Sequence, residues 1–319
     1  MFASGYQIAK NTFRECVREP IYLLLLLTSL TLIGIYPLFT FFVFRQQVKL
    51  VVDSAMATTL VFGWIVAVLC ASHAIAREIS NGTVLLLLAK PVRRPVFLLA
   101  KIVGILASLS VFWFLCALAT MISVRVARDQ FRWDLRAFGL YAAAVVISGA
   151  VGELRNYLQR RSFPMAAVQS MCVLMPLAWI GVYFLPVEGE QAAYVWQLVP
   201  ALILVFYAIL AMGTLATALS TRLEFVSNLL VCSVIFVIGL MSDYLLGRHA
   251  AESFAAAAAY AAIPNWQLFS MADALAAQKR IPWEYVGFGA AYVTLFVGFF
   301  LVLAMLLFFN REVGRQRLA

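Results

Sequence analysis

The chain predicts an all-α membrane protein with about eight transmembrane helices. Three observations carry this. Of its 319 residues, 64% are hydrophobic and only 12% charged, against roughly half and a quarter in a soluble domain. The apolar residues gather in runs of about twenty, the length that crosses a bilayer. Lys and Arg collect at the ends of those runs, on alternate loops. Residues 1–319 are expected to form a single membrane domain. It comprises an N-terminal interfacial helix over 1–20, a cytosolic segment over 77–97 and outer interfacial helices over 247–283.

Residues Ser4 to Glu19 predict an amphipathic helix. Ser4 caps it, with Gln7 three residues on, as in a capping box. Tyr6, Ala9, Phe13, Cys16 and Val17 share one face, while Lys10, Arg14 and Arg18 form a basic stripe. Pro20 ends it. Such a helix is expected in the membrane interface, basic side towards lipid headgroups or a partner. The plainer alternative is a cytosolic extension of the first span.

The first span, Ile21 to Phe44, covers about 36 Å at helical rise. It is too long for a signal-peptide core and lacks a small-residue cleavage site, so it is expected to remain as an anchor. The others are Met56 to Ala76, Leu98 to Val124, Ala137 to Gly152, Pro164 to Leu185, Gln197 to Leu219, Phe225 to Leu246 and Tyr285 to Phe309. The Ala137 segment is the shortest. It is kept because, without it, the acidic loop holding Glu188 and Glu190 would face the cytosol and the Arg-rich tail would face out. With both termini inside, Arg77, Lys90, Arg93, Arg94, Arg155, Arg160, Arg161, Arg222, Arg311, Arg315 and Arg317 are cytosolic. Arg125, Arg128, Arg132 and Arg136 dissent, and Asp129 and Asp134 offset them only in part.

Between Gly247 and Trp283 the chain is long and not polar. Ala255 to Ala262 is broken at Pro264. A second helix is expected over Trp266 to Gln278, with Leu268, Met271, Ala272 and Leu275 on one face. Trp266, Trp283 and Tyr285 are expected as interfacial anchors.

Composition also excludes. The net charge of +9 is explained by basic loop ends facing anionic lipid. No basic patch lies outside membrane-flanking sequence, which argues against a nucleic-acid partner. The cysteines Cys16, Cys70, Cys116, Cys172 and Cys232 form no CxxC pair and support neither a disulfide frame nor a zinc site.

The segment from Arg77 to Lys101 is the most informative. Asn81-Gly82 is a natural helix stop. Thr83 can cap a short new helix, Val84 to Ala89, which Pro91 cannot continue. Arg93-Arg94-Pro95 then restarts the chain. The result is a stiff amphipathic link between two spans, able to transmit a push that a floppy loop would absorb. A plain loop resting on the bilayer is the alternative.

The series Glu78, Gly82-Thr83, Leu86-Leu87-Leu88, Lys90-Pro91-Val92, Arg94, Lys101 resembles the coupling region of ABC-2 type permeases, the membrane subunits of certain ATP-binding-cassette transporters. Ala9-Lys10-Asn11-Thr12-Phe13-Arg14-Glu15 is similar to their N-terminal interfacial helix. Ile263-Pro264-Asn265, Met271-Ala272-Asp273-Ala274, Ile281-Pro282 and Phe308-Phe309-Asn310-Arg311-Glu312 resemble their tail. The likeness is specific over about the first 125 residues, moderate from Gly213 onward and weak across 126–200. That family usually has a six-span core. The pair Ala137–Gly152 and Pro164–Leu185 is additional here, so no substrate carries over.

The resemblance implies a permease subunit, expected to export, in a bacterial cytoplasmic membrane. It implies two permease copies, identical or not, over two ATPase subunits that bind ATP and Mg. This chain is expected to hold no cofactor and to catalyse nothing, and it lacks the G-x-x-x-x-G-K-[ST] phosphate loop. The residues that the resemblance assigns to ATPase coupling are Lys10, Arg14, Arg77, Glu78, Gly82, Thr83, Leu87, Lys90, Pro91, Arg93, Arg94 and Lys101. Glu78 is the central one, a charge at a span end able to hold the link against a basic partner. Arg93 and Arg94 would contact acidic positions on the ATPase.

Two other classes compete. A self-sufficient secondary transporter would place ionisable residues at mid-membrane. Asp243 and Glu153 are the candidates, and both read as boundary residues. An intramembrane enzyme finds no HExxH or GxSxG motif, and only His73 and His249 as histidines. Met171, Cys172 and Met175 have soft sulfur at helical spacing that would suit Cu(I), but equally serve as packing. Gly213, Thr217 and Thr221 could pack helices closely, within the chain or between copies.

Overall fold

The computed structural model describes residues 2–42, 47–80, 94–127, 134–185, 191–249, 253–254, 257–258, 260, 263–271 and 279–309. Among them there is no strand. The helices are α1 (Phe2–Arg18), α2 (Pro20–Ile35), α3 (Gln47–Ala71), α4 (Arg94–Val126), α5 (Leu135–Gln159), α6 (Phe163–Phe184), α7 (Gln191–Ser220), α8 (Phe225–Leu240) and α9 (Trp283–Phe309). A 3₁₀ segment, Tyr36–Phe42, extends α2. A π turn, Ser72–Ala76, and a helical turn, Arg77–Ser80, extend α3 without a break.

Among the described residues, seven stretches are long and apolar enough to cross a membrane. The architecture is that of an all-α, multi-pass membrane protein. The helix expected to be marginal is not: α5 runs 25 residues. Asp134 starts it, its carboxylate accepting from the Ala137 N–H at 3.1 Å, and it ends at Arg160 in the left-handed region (φ 51°). The expectation of an unbroken span from Phe225 to Leu246 is corrected instead. The α8 helix has 16 residues, about 24 Å. It breaks at Met241, and a π turn, Asp243–Gly247, follows.

Side-chain registers fix the helix directions. Gly63 faces Ile209, and Asn228 joins Ser72 to Ala216, so α3 and α7 run the same way. Phe236 stacks on Trp64 at 5.4 Å, so α8 runs opposite to α3. The helices α3, α4 and α7 form the centre. Of the apolar window of α7, 72% is buried, against 28% in α5 and in α9, which lie at the rim. The additional pair, α5 and α6, packs chiefly on itself, with Gly152 against Ala167. It is pinned to α2 by the Tyr141 hydroxyl, which donates to the Leu30 carbonyl at 2.5 Å beside Gly34. Gly213 meets Leu106 and Leu109 of α4, and Thr217 and Thr221 are buried, so that small-residue stripe packs within the chain.

Candidate functional site

The helix α1 docks on the first turns of α4. Gly5 lies against Val96, and Gly104 against Ala9, Thr12 and Phe13. A Cβ on Gly104 would fall 2.5 Å from the Ala9 carbonyl oxygen. Gly104 therefore permits backbone-close contact between the two helices. Thr12, Cys16 and Val17 are buried there. Two expectations are corrected. Helix α1 is already formed at Phe2, so Ser4 is not its cap. Tyr6 is 64% exposed and lies off the packed face, with the Lys10 ammonium 5.9 Å from its ring centre. Lys10 is half-buried and Arg14 exposed.

Pro20 does end α1, through Glu19 in an extended conformation (φ −66°, ψ 127°). That bend aims the Glu19 carboxylate at α3. Its Oε1 lies 3.1 Å from His73 Nδ1 and 3.7 Å from a terminal guanidinium nitrogen of Arg77. One helical turn away Glu78 meets Lys101, with Oε2 and Nζ 2.7 Å apart. The same ammonium donates to the Ala74 carbonyl at 2.6 Å and lies 5.5 Å from the centre of the Phe97 ring. A buried ammonium is tolerable only with such partners. Three elements thus meet at one charged junction: the α1–α2 bend, the end of α3 and the start of α4.

Glu15 of α1 faces the same junction. Partial burial pushes its carboxyl up first, Lys101 pulls it down, and Glu78 pushes it up again. Beneath the junction sits the π turn. A π turn inserts an extra residue and rotates the helix beyond it by about 100° relative to a continuous α-helix. Fully buried Asn228 braces it, its amide donating to Ser72 Oγ at 3.2 Å and to the Ala216 carbonyl at 3.1 Å.

Of the residues singled out from sequence, Arg77, Glu78 and Lys101 are brought together here. Glu78 holds Lys101 of its own chain, and Lys101 is a buried strut with no surface to offer a partner. Arg94 opens α4. Gly82, Thr83, Leu87, Lys90, Pro91 and Arg93 lie outside the described residues. Sequence reasoning missed Glu15, Glu19, Gly104 and Asn228. An isolated Asn within an apolar run was the legible signal, because such a side chain needs a partner in the membrane.

The other end of the bundle brings two corrections. Arg125 is not a stray outer charge: it is 5% exposed and donates to the Leu185 carbonyl at 3.0 Å, closing the end of α6. Trp266 is not an interfacial anchor: it is 1% exposed, packed against Gly239 and Phe236 of α8. It begins a 3₁₀ turn, Trp266–Phe269, where a longer helix was expected, and residues 272–278 lie outside the described residues. Trp283 is exposed and the Tyr285 hydroxyl donates to the Leu268 carbonyl at 2.7 Å. Asp243 accepts from Tyr260 at 2.7 Å and from Asn265 at 2.8 Å. Met171 and Met175 are fully buried packing residues. Among the described residues no cluster of three His, Cys, Asp or Glu could hold a metal.

No family model matches the chain, and no curated protein matches it.

Proposed function

We propose that this chain is the permease subunit of an ATP-driven transporter of the ABC-2 type, exporting an unspecified substrate and worked by a separate ATPase. The observation that supports this is the Glu78–Lys101 pair. It ties the end of α3 to the start of α4 across segment 77–97, with α1 seated on the same turns. A force applied to that segment would move three elements as one body rather than be lost in a loop. Arg14, Arg77 and neighbouring exposed cations offer an acidic partner its contacts. The excess of Lys and Arg at this end of the bundle orients it to the cytosol.

The ATPase would bind ATP and Mg, and its closure would push the junction. The π turn beneath is the element able to change register and reorient the α3 end. A second permease copy is expected beside the first. The test is co-purification of an ATPase with the tagged chain, followed by ATPase assays in vesicles. Glu78→Ala is expected to abolish stimulation by the permease while membrane insertion persists. Transport by the purified chain alone under an ion gradient would replace this reading with a secondary transporter.

A further inference from the structure

We propose that the groove between α2 and α6 binds an anionic phospholipid, with an acyl chain along the groove and the headgroup phosphate on Arg18 and the turn before α6. The groove is open along its outer side, offers about 500 Å³ and is walled by Pro20, Leu24, Leu27 and Leu32 of α2 and by Phe163 and Pro164 of α6. From Pro20 to Leu32 it is about 18 Å long at helical rise, suited to an extended acyl chain. Its wall is mostly apolar: only Thr28 and Thr31 bring hydroxyls to it, and the Thr28 proton is donated to the Leu24 carbonyl at 2.8 Å.

The groove lies where the α5–α6 pair is held to the α1–α2 segment at two separate points. At one, Tyr141 reaches α2 at Leu30 and Gly34, held out by α5. At the other, Arg18 Nε donates to Ser162 Oγ at 3.3 Å. This second clasp forms the mouth. It engages one of the five guanidinium N–H donors. Arg160 and Arg161 are both exposed in the same turn, which Asn156 holds by donating to the Arg161 carbonyl at 2.6 Å. The neighbouring carboxylate, Glu19, does not cancel this charge locally, because His73 and Arg77 engage it on the α3 side of the bend.

An apolar channel on the flank of two membrane-crossing helices, ending in arginines, fits a lipid with a phosphate and a net negative charge. A free phosphate would find no use for the wall, and a zwitterionic lipid none for the excess charge.

The test is native mass spectrometry of the detergent-purified full chain, titrated with phosphatidylglycerol or phosphatidylcholine of identical acyl chains. The first phosphatidylglycerol is expected to bind about fivefold more tightly, the weight of one Arg near an anionic headgroup. Arg18→Gln with Arg161→Gln should equalise the two lipids, and Arg18→Lys should retain the preference. Leu27→Trp or Thr28→Phe, which fill the groove, should remove the tight first site with the melting temperature unchanged. Equal binding of both lipids to the unmodified chain would mean annular lipid only and overturn the proposal. So would a preference that survives the Arg pair or both groove variants, or displacement of the lipid by inorganic phosphate.

Discussion

Lys101 Nζ stands 2.7 Å from Glu78 Oε2, with 3% of the lysine side chain in contact with solvent. The pair spans the gap between the end of α3 and the start of α4. Removing either partner strands the other. Lys101→Met or Glu78→Gln is expected to lower stability by about 3 kcal/mol, the usual cost of breaking a buried pair. The double substitution should recover most of it. Thermal unfolding of the four proteins in detergent gives the cycle, and simple additivity would show that the pair is not coupled.

Gly104 sets how closely α1 approaches α4. Gly104→Leu puts a side chain where a Cβ alone would be 2.5 Å from the Ala9 carbonyl. The helix α1 is expected to lift, exposing Cys16, which is 1% exposed in the structure. Maleimide labelling of a variant with Cys16 as its single cysteine should rise severalfold. Unchanged labelling would mean that α1 tolerates the side chain in place.

The Glu15 carboxyl titrates above its ordinary 4.5. A group raised on folding contributes stability in full below its unfolded value and loses it as pH rises through the folded one. The folded protein therefore loses stability between those two values, and the loss persists above them. Glu15→Gln removes the titration. The melting temperature of the variant relative to the parent is expected to climb between pH 4.5 and neutrality. A difference independent of pH would place Glu15 outside the junction's field.

Trp266 fills a hollow made by Gly239. Trp266→Ala should cost about 3 kcal/mol or more, as large aromatic deletions do. Gly239→Leu should cost a comparable amount, since the indole has nowhere to move. Chemical unfolding of each variant checks this. If both are near neutral, the 3₁₀ turn is a surface feature after all.

Much of the architecture was legible in the linear pattern. The runs Pro164 to Leu185 and Tyr285 to Phe309 match α6 and α9 to within two residues, because a span must satisfy its own backbone and its length is set by the bilayer. Pro20 announced the end of α1, because a proline cannot continue a helix. Glu78 was picked out as a charge at a span end. Lys101 was picked out as well, but not as its partner, because it lies 23 positions on and pairing across that gap is decided by packing.

What the amino-acid order determines alone is which segments leave water, because hydropathy and helix breakers act locally. Where Tyr6, Trp266 and Arg125 end up is a different matter. One aromatic faces out, the other is sealed against Gly239, and an apparently misplaced cation closes a helix end. Such fates depend on which surface a neighbouring helix covers. Glu15, Glu19, His73, Glu78 and Lys101 likewise form one junction because α1, α3 and α4 pack together there, with Gly104 letting α1 come close to α4. That proximity is a property of three dimensions, and no spacing along the chain encodes it.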